Sequence, residues 1–418
     1  MKICIVGAGS SYTPELIEGL SGMRTELPVT ELAFYDIDES RMDIVYGFCL
    51  RYAKHLGIDI KITKYSNRRK ALEGSCFVNT QIRVGGNAAR VLDERIPLSF
   101  GVLGQETTGA GGMMKALRTI PAMIDIANDV VDVCPDAWII NYTNPTGIVT
   151  EGVLRETKAK IAGLCSCGMQ PQQIVGGALG VAPNTVRYDM AGLNHMSSAY
   201  NFYVGSRSIT FDELQKVYKQ FDIDGDRAYM CGLNILANPY MEYYYHPIKK
   251  VQEMLAKPLV RGEEVIELEK ELFRDFADES VCDKPKSLEK RGGGGYSELA
   301  LGVMNAIYND LNSWIVVNVK NENTLDFLPK DAVIEAPCIV NSSGIRPIAV
   351  SPPPRVIQAL IEEVKAYEQL TVDAALTGDE SIAISALMTH PLVRDYGIVR
   401  ELWPKLLEAH KKYLPQFK

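Results

Sequence analysis

Short apolar runs alternate with segments of helical periodicity over the N-terminal part of the chain. Residues 3–6 form a continuous, mostly β-branched apolar run, which favours a strand buried on both faces of a parallel sheet. Further strands are predicted at residues 32–35, 58–62, 76–79 and 137–140, with helices at residues 40–55, 67–73 and 113–133. This alternation is typical of a doubly wound parallel sheet. We therefore predict an α/β fold with a Rossmann-type domain over residues 1–195.

Beyond residue 196 the strand and helix patterns are mixed and follow no simple alternation. Helices are predicted at residues 214–221, 240–255, 263–276 and 298–311, and strands at residues 313–319 and 332–340. A proline run at residues 352–354 precedes a final helical region. We predict a second, mixed α+β domain over residues 196–418 that serves substrate binding and oligomerisation.

Composition and charge exclude several classes of protein. The 418 residues are 46% hydrophobic and 23% charged, with a formal net charge of −8. An acidic chain has no general attraction for nucleic acid or for an anionic membrane, and neither partner is expected. No apolar run reaches the roughly 18 residues of a membrane span, and the chain enters its first strand without an apolar leader. We therefore expect a cytoplasmic protein whose nine cysteines stay reduced.

A glycine turn follows the first predicted strand. Gly7 and Gly9 stand where a sharp turn lets backbone N–H groups approach a pyrophosphate at the start of a helix. The third glycine of the G-x-G-x-x-G pattern is replaced by Tyr12. Asp36 ends the next apolar run, where an acid accepts the ribose hydroxyl groups of NAD and repels the extra phosphate of NADP. The pattern predicts a dinucleotide site, and the alternative is a glycine turn in an ordinary α/β protein.

Polar residues also follow the later apolar runs, and parallel strands bring such residues to one edge of the sheet. Asn144 is fixed beside Pro145 at one of these strand ends. Cys165, Cys167 and His195 follow two more, and they offer thiolate and imidazole donors for a divalent ion with positions open to substrate. The alternatives are packed thiols, an internal histidine and a turn asparagine.

A run of four glycines precedes Tyr296, with Lys290 and Arg291 just before it. Glycine loses the most backbone entropy on folding, so such a run favours a loop in which the backbone passes close to a small ligand. The loop would bring a phenol and two cations to that ligand, and a nearby cation can lower the pKa of a phenol enough for it to act as a base. The alternative is a flexible hinge with Tyr296 packed on the core.

Longer motifs are spread over nearly the whole chain. They are Gly7-Ala-Gly-Ser-Ser-Tyr-Thr-Pro-Glu-Leu16, Glu26-Leu-Pro-Val-Thr-Glu-Leu32, Asp93-Glu-Arg-Ile-Pro-Leu98, Gly104-Gln-Glu-Thr-Thr-Gly109, Thr143-Asn-Pro, Gly163-Leu-Cys, Gly192-Leu-Asn-His, Lys290-Arg-Gly-Gly and Ala336-Pro-Cys. Together they resemble the motifs of glycoside hydrolase family 4, and within it those of the NAD- and Mn-dependent 6-phospho-β-glucosidases.

The resemblance implies a glycosidase whose reaction begins with oxidation of the sugar. In that mechanism NAD⁺ takes hydride from C3, and a divalent ion, usually Mn²⁺, polarises the oxygens on C2 and C3. A base then removes the acidified C2 proton, and the aglycone leaves by elimination. Water adds to the unsaturated intermediate and NADH returns the hydride, so the net change is hydrolysis.

The resemblance also implies roles for particular residues. It assigns the dinucleotide turn and ribose acid to Gly7, Gly9, Ser10 and Asp36, the metal ligands to Cys165 and His195, the base to Tyr296 and a substrate-oxygen contact to Asn144. We expect Arg95 and Arg291 to bind the sugar phosphate, because a planar guanidinium suits bidentate contact with phosphate. A homodimer or homotetramer is expected as well.

One departure from the family pattern leaves the sugar open. Phospho-sugar members usually carry Asp or Asn and then proline after the ligand cysteine, whereas Cys165 is followed by Ser166, Cys167 and Gly168. Serine cannot act as a carboxylic acid, which argues against the phospho-α-glucosidase type and leaves the general acid unassigned. We expect a 6-phospho-β-glucoside, with an unphosphorylated α-galactoside or a hexuronide as alternatives under the same mechanism. A malate- or lactate-type NAD-dependent dehydrogenase and a catalytically silent nucleotide-binding protein are the alternatives of other classes.

Overall fold

A nine-stranded sheet runs through the protein in this computed structural model, which describes residues 1–220, 227–291 and 295–417. Its first strands are β1 (Lys2–Val6), β2 (Glu31–Tyr35), β3 (Lys61–Tyr65), β4 (Phe77–Thr80), β5 (Trp138–Asn141) and β6 (Lys160–Gly163). They pair in parallel in the spatial order β3-β2-β1-β4-β5-β6. This is the strand order of a dinucleotide-binding sheet, and it confirms the predicted Rossmann-type fold.

Helices cover both faces of this sheet. They are α1 (Thr13–Gly22), α2 (Glu39–His55), α3 (Arg68–Leu72), α4 (Gly86–Leu98), α5 (Gly109–Val133), α6 (Thr146–Glu156) and α7 (Gln170–Leu179). In β1, Cys4 and Val6 belong to one hydrophobic cluster with α5, whereas Ile3 and Ile5 belong to a second cluster with α1 and α2. The strand is therefore buried on both faces, as its continuous apolar run predicts.

A smaller antiparallel sheet follows. It contains β7 (Val186–Leu193), β8 (Met196–Val204), β9 (Arg207–Ser208) and β10 (Leu236–Ala237). Strands β7 and β8 form a hairpin in which Leu193 pairs with Met196. The domain boundary predicted at residue 195 falls in the turn of this hairpin.

The next helices are α8 (Phe211–Gln220), α9 (Arg227–Leu233), α10 (Glu242–Tyr245), α11 (Pro247–Ala256), α12 (Arg261–Ala277) and α13 (Tyr296–Tyr308). The single helix predicted at residues 240–255 is wrong, because Pro247 lacks an N–H and begins a new helix instead of continuing the old one. Residue 221, which ends another predicted helix, and glycines 292–294 lie outside the described residues.

The large sheet is completed by strands from the C-terminal part of the chain. These are β11 (Ser313–Lys320), β12 (Val333–Asn341) and β13 (Gly344–Pro347), and they are followed by α14 (Arg355–Thr377), α15 (Glu380–Thr389) and α16 (Tyr396–His410). Strand β11 pairs antiparallel with β6 through Asn318 and Gly163. Both sides of residue 195 therefore contribute to one sheet, and antiparallel strands and helices make up the C-terminal part, as the predicted α+β character requires.

Strand β3 is shifted along the chain relative to its prediction. It begins at Lys61, three residues after the start of the predicted strand at 58–62, because pairing with β2 starts where Lys61 lies opposite Glu31.

Among the described residues, no helix is both long enough and apolar enough to cross a bilayer.

Candidate active site

A cleft of about 1290 Å³ lies beyond the carboxyl ends of β1, β4, β5 and β6. Residues that follow both β1 and β4 line it, and the strand order reverses between these two strands, which is the usual ligand position in such sheets. Most of the predicted site residues line it: Gly7, Gly9, Ser10, Asp36, Asn144, Cys165, His195, Arg291 and Tyr296. Arg95 does not line this cleft.

The glycine turn and the acid after β2 form one hydrogen-bonded unit. Gly7 has a φ of +93°, and a Cβ there would lie 2.9 Å from the backbone carbonyl of Gln81. The Gly9 N–H donates to Asp36 Oδ2 over 2.8 Å, and the Asp38 N–H donates to Oδ1 over 2.9 Å. A Cβ on Gly9 would lie 3.0 Å from Asp36 Oδ2, so the carboxylate and the turn fix each other's position.

The cysteines and the histidine meet at one point of the cleft. Cys165 follows β6, Cys167 lies in a short 3-10 turn (Ser166–Met169), and His195 occupies the β7–β8 turn with a φ of +63°. The two sulfur atoms and one imidazole nitrogen all lie within 4.8 Å of one another. His195 Nδ1 lies 3.0 Å from Thr107 Oγ1. This arrangement provides soft and borderline donors for a divalent ion.

The buried carboxylate of Glu335, on β12, holds the turn that carries His195. It accepts hydrogen bonds from Asn194 Nδ2 (3.2 Å), Ser197 Oγ (2.8 Å) and Asn318 Nδ2 (3.4 Å). Burial raises the pKa of Glu335 to about 7, although these donors oppose the rise. Because two donors flank His195 and the third lies on β11, the carboxylate connects the small sheet to the large one beside the histidine.

The surroundings of Cys165 disfavour its thiolate form. A hydrogen bond with Cys167 and burial raise the pKa of Cys165 well above its usual value, and His195 opposes the rise. A divalent cation would supply the positive charge that a buried thiolate lacks here. Two thiols and an imidazole within reach of one another thus fit a metal site by the chemistry of their donor atoms.

Asn144 is a neutral polar group in the lining of the cleft. Its peptide bond to Pro145 is cis, and its side-chain oxygen accepts hydrogen bonds from Thr146 N (3.3 Å) and Thr146 Oγ1 (3.2 Å). The amide nitrogen is left to donate to a ligand in the cleft. This placement fits the predicted contact with a substrate oxygen.

Tyr296 lies at the start of α13 and stacks between two other rings. Its ring centroid lies 3.4 Å from that of Tyr142 and 5.2 Å from that of Tyr12. Burial raises the pKa of Tyr296 well above its usual value, and the neighbouring Arg291 only partly opposes this rise. The structure therefore places Tyr296 in the cleft in a setting that disfavours the phenolate.

Sequence reasoning missed Tyr240. Its ring stacks on the ring of His195, with centroids 3.9 Å apart and an angle of 18° between the planes. Tyr240 lines the cleft beside the cysteines, and burial raises its pKa. The aromatic run 240–245 was the available signal, but the predicted continuous helix left open whether that run belongs to the core or to an interface.

Arg95 lies away from the cleft. Its guanidinium forms an ion pair with Glu263 and donates to the carbonyl oxygen of Pro258 over 2.9 Å. Arg90 on the same helix lines the cleft instead, and five residues correspond to a turn of about 140° around a helix. The two arginines therefore point to different sides of α4.

Three cations of the cleft, two of them buried and one half-buried, surround one carboxylate, that of Glu106. Arg90 lies 2.9 Å from Glu106 Oε1, Lys115 lies 2.6 Å from Oε2, and Arg83 also forms an ion pair with it. Burial lowers the pKa of Lys115 to about 7, whereas Glu106 opposes that shift. These cations are candidates for binding an anionic group.

Arg291 also faces the cleft. Its Nη2 lies 3.3 Å from Glu269 Oε1, and its Nη1 donates to the hydroxyl of Tyr12 over 3.2 Å. The Nε–H of Arg291 is buried and has no hydrogen-bond partner among the described residues. A buried donor of this kind fits an anionic ligand.

Comparison with known proteins shows which family this chain resembles. The family model described as "Family 4 glycosyl hydrolase" matches residues 2–181, and the model of that family's C-terminal domain matches residues 190–393. The chain is 38% identical to a probable 6-phospho-β-glucosidase of Bacillus subtilis (strain 168), with 100% of this chain and 98% of the relative covered.

Solved structures give the same result. The 6-phospho-β-glucosidase of Thermotoga maritima, solved with manganese, NAD⁺ and glucose 6-phosphate, matches with a TM-score of 0.91 and 31% identity over 99% of both chains. A 6-phospho-α-glucosidase from gut microorganisms, solved with NAD and Mn²⁺, matches with a TM-score of 0.91 and 27% identity over 100% of this chain and 99% of that chain.

The glycine turn generates a test of dinucleotide binding. In Gly9→Ala the new Cβ meets Asp36 Oδ2, so we expect NAD⁺ affinity to fall about tenfold, or roughly 1.4 kcal/mol, in a calorimetric titration. Gly22→Ala is the matched control, because a Cβ at Gly22 meets nothing within 4 Å. Unchanged affinity in Gly9→Ala would remove this turn from the cofactor site.

Glu335 generates a test of how the histidine is held. Glu335→Ala leaves buried donors unpaired, and we expect the free energy of unfolding in urea to fall by about 2–4 kcal/mol. Displacement of the His195 turn should also weaken divalent-metal binding by the folded protein about 10- to 100-fold. Glu368→Ala, which removes a buried carboxylate paired with Lys365, should lower stability and leave metal affinity unchanged. Equal metal affinity in both variants would contradict the role of Glu335.

Proposed function

The chain belongs to family 4 of the glycosyl hydrolases, and we propose that it hydrolyses 6-phospho-β-glucosides with NAD⁺ and a divalent ion, Mn²⁺ in the first instance, as cofactors. The observation that carries this proposal is the meeting in one cleft of the dinucleotide turn, the cysteine–histidine cluster and the buried cations. A family relative at 31% identity is solved with manganese, NAD⁺ and glucose 6-phosphate.

The N-terminal turn supports NAD⁺ as the dinucleotide. Gly7, Gly9 and Ser10 line the cleft just before α1 begins at Thr13, where backbone N–H groups and the helix N-terminus favour a pyrophosphate. The Asp36 carboxylate ends β2 and lines the same cleft. A carboxylate at this position accepts ribose hydroxyl groups and repels the additional phosphate of NADP.

Cys165 and His195 would hold the divalent ion. Thiolate and imidazole are both established ligands, and three or fewer protein donors leave positions for substrate oxygens. When bound there, the ion supplies a Lewis acid that polarises the sugar oxygens. Asn144, at the end of β5, would orient the sugar by donating its amide N–H to a hydroxyl group.

We propose Tyr240, in preference to Tyr296, as the group that removes the C2 proton. Tyr240 stacks on His195, so its phenol lies next to the cluster where a cation would favour the charged form. Burial raises the pKa of both phenols, so the choice rests on position: the ring of Tyr296 stacks on Tyr142, whereas the ring of Tyr240 stacks on His195 of the cluster. Tyr296 then serves to shape the cleft.

We propose that the sugar phosphate binds to cations that line the cleft, and that Arg95 is not among them. The candidates are Arg83, Arg90, Lys115 and Arg291. Glu106 already holds three of them in place, so a phosphate would meet preorganised donors. The serine at residue 166 supports a β-linked substrate, since a carboxylic acid is absent from the turn after Cys165.

The geometry disfavours a malate- or lactate-type dehydrogenase. Such an enzyme uses a histidine oriented by a carboxylate, whereas His195 Nδ1 lies 3.0 Å from the hydroxyl of Thr107 and belongs to a thiol cluster. The same cluster argues against a catalytically silent protein. We further propose a homodimer or homotetramer in a reducing cytoplasm, which suits the nine free thiols.

A substrate comparison tests the proposed function. We expect p-nitrophenyl β-glucoside 6-phosphate to be cleaved only when NAD⁺, a divalent metal ion such as Mn²⁺ and a thiol reductant are all present, without accumulation of NADH, because the hydride is returned in each cycle. The unphosphorylated and α-linked substrates, assayed by release of p-nitrophenol, should react much more slowly. Faster cleavage of an unphosphorylated sugar would refute the phosphate assignment, and steady formation of NADH would indicate a dehydrogenase.

Exchange at C2 distinguishes the two tyrosines. If Tyr240 is the base, Tyr240→Phe should lower kcat about 10²- to 10⁴-fold and abolish incorporation of solvent deuterium at C2, measured by NMR. Tyr296→Phe should retain both kcat and exchange to within about tenfold, since one tenfold step is roughly 1.4 kcal/mol. Tyr243→Phe, which changes another cleft phenol on α10, is the matched control. Loss of exchange in Tyr296→Phe alone would reverse the assignment.

A further inference from the structure

Cys167 is a third donor at the metal-type cluster and has no role in the function proposed above. Its sulfur, the sulfur of Cys165 and a ring nitrogen of His195 lie within 4.8 Å of one another. Cys167 is half-buried and lines the same cleft as Cys165 and His195. It also stands in the short stretch where the sequence departs from the pattern of phospho-sugar enzymes.

We propose that Cys167 is a third protein ligand, so that this chain forms a Cys₂His metal centre that prefers Zn²⁺ or Co²⁺ to Mn²⁺. The inference rests on the proposed function, because it assumes that Cys165 and His195 hold a divalent ion. It goes further by assigning a ligand and a metal preference to this chain.

The turn that carries Cys167 is fixed from several sides. A Cβ on Gly168 would lie 2.6 Å from Val316 Cγ1, so the turn packs directly on β11. The Tyr188 hydroxyl donates to the Gly168 carbonyl over 2.6 Å, and the Val316 N–H donates to Met169 Sδ over 3.3 Å. Cys167 is thereby held at the cleft next to Cys165, and ligand binding needs little reordering of the backbone.

The distances suit a single ion. Metal–sulfur and metal–nitrogen bonds of about 2.0–2.3 Å place the ligand atoms of a tetrahedral site about 3.3–3.8 Å apart. The three ligand atoms lie within 4.8 Å of one another, which is more than a tetrahedral site needs. Small rotations of the side chains would bring them to the shorter distances. Two thiols and one imidazole leave a fourth position for a substrate oxygen, which is the pattern of Cys₂His catalytic zinc sites.

The donor set also determines which ion is preferred. Thiolate ligands favour Zn²⁺ and other softer ions, whereas Mn²⁺ favours carboxylate, carbonyl and water oxygen. A second thiolate therefore strengthens binding of Zn²⁺ or Co²⁺ more than binding of Mn²⁺. Each thiol releases its proton to solvent as the metal–sulfur bond forms, so two protons leave for each ion bound.

Cobalt absorbance counts the thiolates directly. Metal-free protein, kept reduced, is titrated with Co²⁺, and the near-ultraviolet sulfur-to-cobalt charge-transfer band is measured per bound ion. We expect Cys167→Ser and Cys165→Ser each to show about half of the wild-type intensity, because one of two thiolates is lost in each. Cys76→Ser, an exposed thiol outside the cleft, is the matched control and should keep full intensity. Retained NAD⁺ binding verifies that each variant is folded, and Cys167→Ala provides a second substitution.

Metal competition gives an independent result. Against a chromophoric chelator, Cys167→Ser should bind Zn²⁺ at least about tenfold more weakly, with a much smaller change for Mn²⁺. Full cobalt intensity in Cys167→Ser, with loss of the whole band in Cys165→Ser, would overturn the inference and leave the proposed function intact. A wild-type protein that binds cobalt without any thiolate band would overturn both.

Discussion

The buried carboxylate of Glu335 imposes the constraint on which the geometry of the cleft depends. A carboxylate removed from water needs hydrogen-bond donors, and here they come from Asn194, Ser197 and Asn318. Two of these residues flank His195 in a hairpin turn, and the third lies on a strand paired with β6. The hydrogen bonds to the Glu335 carboxylate therefore hold the small sheet against the large sheet and keep His195 near the two thiols.

Much of this arrangement follows from local sequence. The apolar run at residues 3–6, the glycines after it and Asp36 specify a strand, a turn and an acid whose relative positions are set by one sheet register. The same reasoning brings Cys165 to the cleft, because every parallel strand delivers its carboxyl end to the same edge. These placements require only the period of a strand and the direction of the chain.

The remaining site residues depend on information that the local pattern lacks. Arg90 and Arg95 have the same chemistry on one helix, and only the orientation of α4 against the sheet decides that Arg90 lines the cleft. Tyr240 reaches His195 because the helical segment is interrupted before Pro247. The helical periodicity of the sequence continues through this break and therefore does not reveal it. The pairing of Asn318 with Gly163 joins β11 to β6, which are far apart in sequence. Strand propensity alone does not predict which strand pairs with which.

In the turn after Cys165, one residue packs on the sheet and two others line the cleft. Gly168 is fixed by packing, since a Cβ there would lie 2.6 Å from Val316 Cγ1, and any larger side chain would displace the turn from β11. Ser166 and Cys167 line the cleft, so their side chains can change without disturbing that contact. A carboxylic acid at residue 166 could give a proton to a leaving group, whereas the thiol at residue 167 offers a ligand atom to a metal ion. The chemistry of this part of the cleft is therefore set by residues 166 and 167. The packing of Gly168 on β11 holds the backbone of both.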